Sequence, residues 1–223
     1  MELIKKNDCI EIEFTGYSNG IMFDSNIPDN LKKINPDAKA EKTILIVGQH
    51  MVVEGLDKSL EGKEIGKEYE IKVSANEGFG ERKRELMKTI PLKIFTEKNI
   101  SPKAGMVLSL DGMIAKIVAV SGGRIMTDFN NPLAGKDLVY KFKILRKVDD
   151  EKEKCDAIFN VFLKFIPKYE INESIVVKER KELGPVVKIF GKMFKEIIGK
   201  ELKFEQEDKE EEHDHPHLPE KQD

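Results

Sequence analysis

Few side chains in this sequence could make or break a covalent bond. His50 is the sole histidine before the acidic C-terminal stretch, and neither Cys9 nor Cys155 has a histidine beside it in sequence. A nucleophile needs a base within hydrogen-bond reach, so a Cys–His pair would have to be assembled in space. A structural His50 is the simpler reading. No Gly-rich loop leads into Lys-Ser or Lys-Thr, so there is no phosphate cradle; Gly16 and Gly20 belong to a strand–turn–strand passage. His213, His215 and His217 alternate beside Glu212 and Asp214. Neutral imidazoles with carboxylates suit nickel or zinc, yet on an unstructured stretch they are pre-organised for nothing. A metal site and a solvated tail both stand as readings. An enzyme built from this inventory needs chemistry without a nucleophile, and no cofactor is expected.

Composition narrows the class. The 223 residues are 39% hydrophobic and 35% charged, enough for one to three compact units with a wet surface. No apolar run approaches the roughly 20 residues that span a bilayer, and residues 1–8 carry no apolar stretch behind their charges. Neither a membrane partner nor a secretory signal is expected. Two cysteines cannot build a disulfide scaffold, so reduced thiols in a cytoplasmic protein are expected. A net charge of −3 gives no global attraction for nucleic acid. The charge is uneven, however. Residues 200–223 net −6, whereas residues 83–131 net +4. Beyond Phe204 apolar residues almost vanish, so residues 205–223 are expected to form a disordered acidic tail.

The elements that would position a site are legible in part. Ile10, Ile12 and Phe14 alternate with Glu11 and Glu13, the period of a half-buried strand; Tyr69–Val73 and Leu138–Ile144 repeat it, and Thr43–Val47 reads as a shorter strand. Leu56 and Leu60 share a helical face over Val53–Glu61, with Gly62 placed to end it. Residues 24–42 read as a long irregular excursion. In the middle, Pro91 opens a short helix, and Met106–Leu110, Met113–Val120 and Arg124–Phe129 form a meander joined at Asp111-Gly112 and Ser121-Gly122-Gly123. After residue 150, Phe159, Phe162 and Ile166 repeat at helical spacing and stop before Pro167. Ile175–Val177 suggests a strand, Pro185–Gly199 an amphipathic helix, and Leu202 with Phe204 a last strand. The expected class is α+β: residues 1–82 with 132–149, an insert at 83–131, and an α/β extension at 150–204 small enough to favour a homodimer.

Several short motifs fall in a recognisable order. Phe14-Thr15-Gly16, Phe23-Asp24-Ser25, Gly48-Gln49, Glu54-Gly55-Leu56, Leu60-Glu61-Gly62 and Gly78-Phe79-Gly80 resemble those of FKBP-type peptidyl-prolyl isomerases. The passage Pro132–Leu138 is similar to the SlyD branch, in which an insert-in-flap chaperone domain interrupts the FKBP fold. The resemblance spans about residues 3–148. The extension resembles, more loosely, the dimerising domain of archaeal long-type FKBPs. The fold implied is an antiparallel half-barrel sheet wrapped on one short helix. The implied proline pocket comprises Asp24, Val53, Phe79 and Tyr140 as catalytic residues, with Phe14, Phe23, Val52 and Leu56 binding substrate. Phe14 and Phe79 stand where many relatives carry Tyr, and Leu56 where human-type relatives carry Trp. A less polar pocket and weak or altered macrolide binding are the expectation.

The implied partner is an unfolded chain containing X-Pro bonds. Four of the eight methionines lie in the insert, and Met side chains adapt to varied apolar partners. Met87, Ile90, Leu92, Ile94, Phe95, Met106 and Met126 are the candidate client contacts, although a segment of this size must also bury part of that set as its own core. The alternatives are a holdase whose isomerase site has decayed, for which Phe14 and Phe79 speak, and a metal-binding protein acting through the tail histidines.

Overall fold

The computed structural model describes residues 2–206. The chain orders itself as β1 (Cys9–Ser18), β2 (Ile21–Ser25), α1 (Pro28–Ile34), β3 (Thr43–Ile46), α2 (Glu54–Leu60), β4 (Glu68–Val73), β5 (Met87–Pro91), α3 (Leu92–Glu97), β6 (Val107–Leu110), β7 (Met113–Ser121), β8 (Arg124–Asp128), β9 (Leu138–Lys147), α4 (Glu151–Leu163), β10 (Tyr169–Ile171), β11 (Ile175–Glu179), α5 (Gly184–Ile197) and β12 (Leu202–Gln206). Two compact units result. Among the described residues, 2–6 and 10–147 form one; 7–9 and 148–206 form the other. No helix among the described residues is long and apolar enough to cross a membrane.

In the first unit β2, β1, β9 and β4 lie side by side, and β3 adds to β1. Strand β9 pairs antiparallel with both β1 and β4, so the chain returns from the insert into the centre of the sheet. The alternating apolar residues read from sequence supply one face. Ile10, Ile12, Val73, Leu138, Tyr140 and Ile144 pack there against Leu56 and Leu60 of α2. The helix ends at Glu61, whose extended backbone is followed by Gly62 at φ +76°, a conformation that glycine adopts without a Cβ penalty. Residues 24–42, expected to be irregular throughout, contain α1. Pro28 opens it, since a first-turn residue needs no N–H partner.

The insert is a four-stranded antiparallel sheet in the order β5-β8-β7-β6. Both hairpins turn as the sequence indicates: Asp111 and Gly112, then Gly122 and Gly123, all have positive φ, the twist that matches two-residue hairpins. Strand β5 was not legible, because Met87–Pro91 is short and ends on a proline. It lies at the sheet edge, where a missing N–H is tolerated. Pro91 closes this strand and flanks α3 instead of lying within it. Phe95, expected at the client surface, is 1% exposed and forms the centre of the insert's core with Ile117 and Ile125. Its burial follows from α3 lying across the inner face of the sheet; Ile90 and Leu92 pack against the same core.

The second unit contains α4, α5 and the strand order β10-β11-β12. Strand β12 runs parallel to β11, making α5 a crossover. Asp150 caps α4 by accepting the Glu153 N–H at 2.8 Å. The helix stops at Lys164, in the left-handed conformation, so Ile166 lies beyond it and is exposed, not on its buried face. Phe159 meets Tyr169 and Phe194 at ring-centroid distances of 5.3 and 5.1 Å. Cys155 is fully buried, and desolvation pushes its thiol up to about 12. Glu205 and Gln206, assigned from sequence to the tail, belong to β12 because they pair with Lys178 and Glu179. His213, His215 and His217 lie outside the described residues; among the described ones no cluster of three metal-ligating side chains occurs.

Truncating the centre of the insert tests its independence as a packing unit. Phe95→Ala should destabilise the insert by about 3–5 kcal/mol. Hydrogen exchange should then accelerate across residues 87–128 while β1, β4 and β9 keep their protection.

Candidate functional site

Four aromatic rings converge above α2. Phe14 on β1 and Tyr140 on β9 lie 6.3 Å apart, Phe23 meets Tyr140 edge-on at 5.9 Å, and Phe23 meets Phe79 edge-on at 6.2 Å. Such tilted contacts set the negative ring face against a positive edge. Leu56 is fully buried beneath them, and Phe14, Phe23, Val52, Val53 and Phe79 are partly buried against the same core. Seven of the eight pocket positions named from sequence thus share one apolar cluster. The eighth, Asp24, stands at its exposed rim.

Each wall is positioned by a local device. Phe23 lies over Gly16 so closely that a Cβ there would sit 2.6 Å from its ring; no other residue leaves that space. A bulge follows Gly16 in the β1–β2 pairing and sets Gly16 opposite Asp24, the kind of irregularity that re-aims side chains. Asn26 then acts as a substitute strand: its Oδ1 accepts the Phe14 N–H at 2.8 Å, and its Nδ2 donates to the Ile12 carbonyl at 2.7 Å. Ser25 donates to the Phe14 carbonyl at 2.9 Å. Phe79 is held through its loop. The Gly80 N–H reaches the Ala75 carbonyl, the Gly135 N–H reaches the Gly80 carbonyl, both at 2.8 Å, and Asp137 accepts the Ala75 N–H at 3.1 Å. Gly135 and Asp137, within the Pro132–Leu138 passage, therefore fix the loop that carries Phe79.

Asp57 is a residue that sequence reasoning missed. It is buried, and its two carboxylate oxygens accept the N–H groups of Gly48 and His50 at 2.8 and 2.9 Å. It holds the loop leading to Val52 and Val53, and an acid one residue past Leu56 on an otherwise apolar face was the available signal. His50 is part of this loop, exposed and at φ +54°, so it is a turn residue. Val53 caps α2 with its carbonyl, which accepts from Leu56 and Asp57 at 3.0 Å. Among the described residues no acceptor takes its N–H, which leaves that donor for a bound carbonyl.

Electrostatics at the rim are simple. Partial burial pushes the Asp24 carboxyl above its ordinary value, against an opposing hydrogen bond from the Ser25 backbone. Desolvation, and secondarily the Asp24 charge, push the Tyr140 hydroxyl up to about 12. The phenol is therefore a neutral donor throughout the physiological range. A separate cavity of about 420 Å³ lies on the other face of the sheet, lined by Glu13, Thr15, Tyr17, Glu70 and Lys141 among others. It shares no residue with the four-ring cluster, and Ile27, Tyr69 and Phe142 line it beside charged side chains such as the paired Glu70 and Lys141.

An aromatic cluster with one rim carboxylate, on a sheet packed against a short helix, defines an apolar binding surface. Residues 2–108 match the family described as FKBP-type peptidyl-prolyl cis-trans isomerase, and residues 88–133 match that described as FKBP26, IF domain. The chain is 30% identical over 147 residues to the short-type peptidyl-prolyl cis-trans isomerase of Methanocaldococcus jannaschii, which covers 65% of this chain and 94% of that protein. It is 29% identical over 158 residues to the isomerase SlyD of Helicobacter pylori, covering 68% and 79%. With SlyD of Escherichia coli K12 it shares 24% over 110 residues, 47% and 56% of the two chains. The chain belongs to the FKBP-type peptidyl-prolyl cis-trans isomerase family and is SlyD-like in carrying the insert.

Asp24 supplies a pH test. Because its proton is held more tightly than that of an ordinary aspartate, falling pH neutralises it early, above the usual value near about 3.9. Turnover of a short proline peptide should be flat from about pH 7 to 9 and show an acid limb that Asp24→Asn removes. An acid limb kept by Asp24→Asn would take the carboxylate out of the site.

Proposed function

We propose that this chain isomerises X-Pro bonds in unfolded proteins, with the aromatic cluster as catalyst and the insert as client surface. An X-Pro bond rotates uncatalysed over tens to hundreds of seconds, behind a barrier of about 20 kcal/mol that reflects lost amide resonance. The planar amide is charge-separated and well hydrated; the twisted amide is less so. Phe14, Phe23, Phe79 and Tyr140 form one aromatic cluster with Leu56 buried in the core it packs on, an apolar surface suited to a proline ring. Removing water there raises the planar state relative to the twisted one, which is differential binding of the transition state. The Val53 N–H suits a substrate carbonyl, and the Asp24 carboxylate suits the polarised amide carbon. Each tenfold acceleration requires about 1.4 kcal/mol, a scale that desolvation and one hydrogen bond supply.

The observation that supports client capture is the outer face of the insert. Ile94, Met106 and Met126, named from sequence, are exposed, as is Met113, the fourth methionine of the insert; so are Val118 and Val120, which were not named. Met87 is half-buried. The inward alternation of Ala115 and Ile117 on β7 turns Ile114 and Val118 outward, whereas Met113 and Val120 stand opposite Leu110 and Ile125, on the core side of the sheet. Contiguous exposed apolar surface of this kind marks interaction sites. Replacing residues 83–131 by a short turn should abolish acceleration of proline-limited refolding of an unfolded protein while leaving a short peptide within about twofold. Equal loss on both would refute the division of labour.

The second unit supports a homodimer reading. Ile189, on amphipathic α5, is 75% exposed, and Phe165 and Ile166 are exposed beside α4's end. A unit this small gains most from burying such residues against a second copy. Sedimentation should show the full chain as a dimer and Ile189→Glu as a monomer; a monomeric wild type would refute it.

A further inference from the structure

The insert joins the body of the first unit through two chain segments, and a groove runs beside them. Its volume is about 360 Å³. Val107 and Ile114 of the insert form its apolar floor with Pro132, and Arg82, Lys116 and Lys136 border it. Ile114 is 66% exposed and Val107 60%, a cost in water that the fold leaves uncovered. The walls are rigid. Asn130 bridges to the outgoing segment twice, accepting the Lys83 N–H at 2.8 Å and donating to the Lys83 carbonyl at 3.0 Å. Its own N–H and its Nδ2 both donate to Asp128 Oδ1, at 2.9 and 2.8 Å. Asp128 is buried and pairs with Arg82 through its other oxygen. That pairing cancels one positive charge and leaves two. Among the described residues neither Lys116 nor Lys136 has a carboxylate partner.

The groove and the proline pocket are neighbours along the chain. Phe79, a pocket wall, and Arg82, a groove wall, are three residues apart, so their Cα atoms are at most about 11 Å from one another. An extended client advancing roughly 3.3 Å per residue covers that in three or four residues. We propose that the groove is an extended substrate subsite, taking the client residues three to five positions from the reacting proline, and that it selects a bulky apolar residue followed by acidic ones. The apolar side chain covers Val107, Ile114 and Pro132; the carboxylates meet Lys116 and Lys136. The Asn130–Asp128–Arg82 network keeps the groove in fixed relation to Phe79. This assignment rests on the aromatic cluster being the isomerase site, and it adds a sequence preference that the aromatic cluster alone cannot impose.

The test uses the full chain and exchange NMR on three sets of peptides. The core is Ala-Leu-Pro-Phe; the second set adds Gly-Leu-Glu-Glu or Gly-Leu-Lys-Lys after it, and the third adds the mirror extensions before Leu-Pro. At about 20 mM salt, where screening is weak, the acidic extension should be turned over at least fivefold more efficiently than the basic one, on one side of the proline. The difference should shrink at high salt. Lys116→Glu combined with Lys136→Glu should invert the order while the core peptide is isomerised as by wild type, and Lys116→Gln alone should reduce the preference about twofold. Equal rates for the two extensions on both sides of the proline, or an order that the double variant leaves unchanged, overturns the subsite. Failure to turn over the core peptide would instead remove the pocket assignment, so the two failures are distinguishable.

Discussion

The fold of the first unit hangs on where β9 goes. It fills the centre of the sheet, between β1 and β4, although the insert separates it from β4 in the chain. A central strand that arrives late imposes a strict condition: the two ends of the insert must lie close together, or the pairing with β4 cannot close. Loop-closure entropy grows slowly with length, so an insert of this size is tolerated if its own fold brings its ends together. The pairing of β5 with β8 does that, and the Asn130 hydrogen bonds to Lys83 finish it. Tyr140, Gly135 and Asp137 all lie on the returning segment, so the pocket is complete only when the closure is made.

How much of this was legible follows from the kind of signal each element carries. Period-2 alternation gave β1, β4 and β9, and the turn chemistry of Asp111-Gly112 and Gly122-Gly123 gave the insert's hairpins. These are local rules, written in neighbouring residues. Strand β5 and α1 escaped because each is short and opens or closes on a proline, a residue that speaks equally for a turn. The pocket residues Phe14, Phe23, Phe79 and Tyr140 emerged only through the order of motifs along the chain, since no spacing rule places four distant aromatics together. Asp57 and Asn26 were hard to read for a different reason. Their partners are backbone N–H and carbonyl groups, which every residue possesses, so nothing in the side-chain sequence marks Asn26, and only an acid on the apolar face of α2 hints at Asp57. Phe95 shows the reverse error. An apolar residue on a short helix reads the same whether it faces a core or a client, and only its packing on Ile117 and Ile125 decides.

The site also illustrates what burial does to polar groups when no proton is to be moved. The Tyr140 hydroxyl is held neutral by desolvation, and the Asp24 carboxyl is kept at the edge, where its charge is affordable. Phe14 and Phe79 bring no hydroxyl to the cluster. For a reaction limited by hydration of a planar amide, dryness is an asset, whereas a hydrolase pocket of the same composition would have nothing with which to attack.

The insert's sheet finally has an unusual relation between its surface and its borders. Its outer face is apolar, yet its two border strands are poor templates: β6 has four residues, and β5 ends on Pro91 with Lys88 within it. Strand addition from one molecule to the next needs a long, unobstructed row of backbone donors and acceptors. The sheet therefore exposes apolar side chains while its borders are poor templates for strand addition, which disfavours the growth of one insert onto the next.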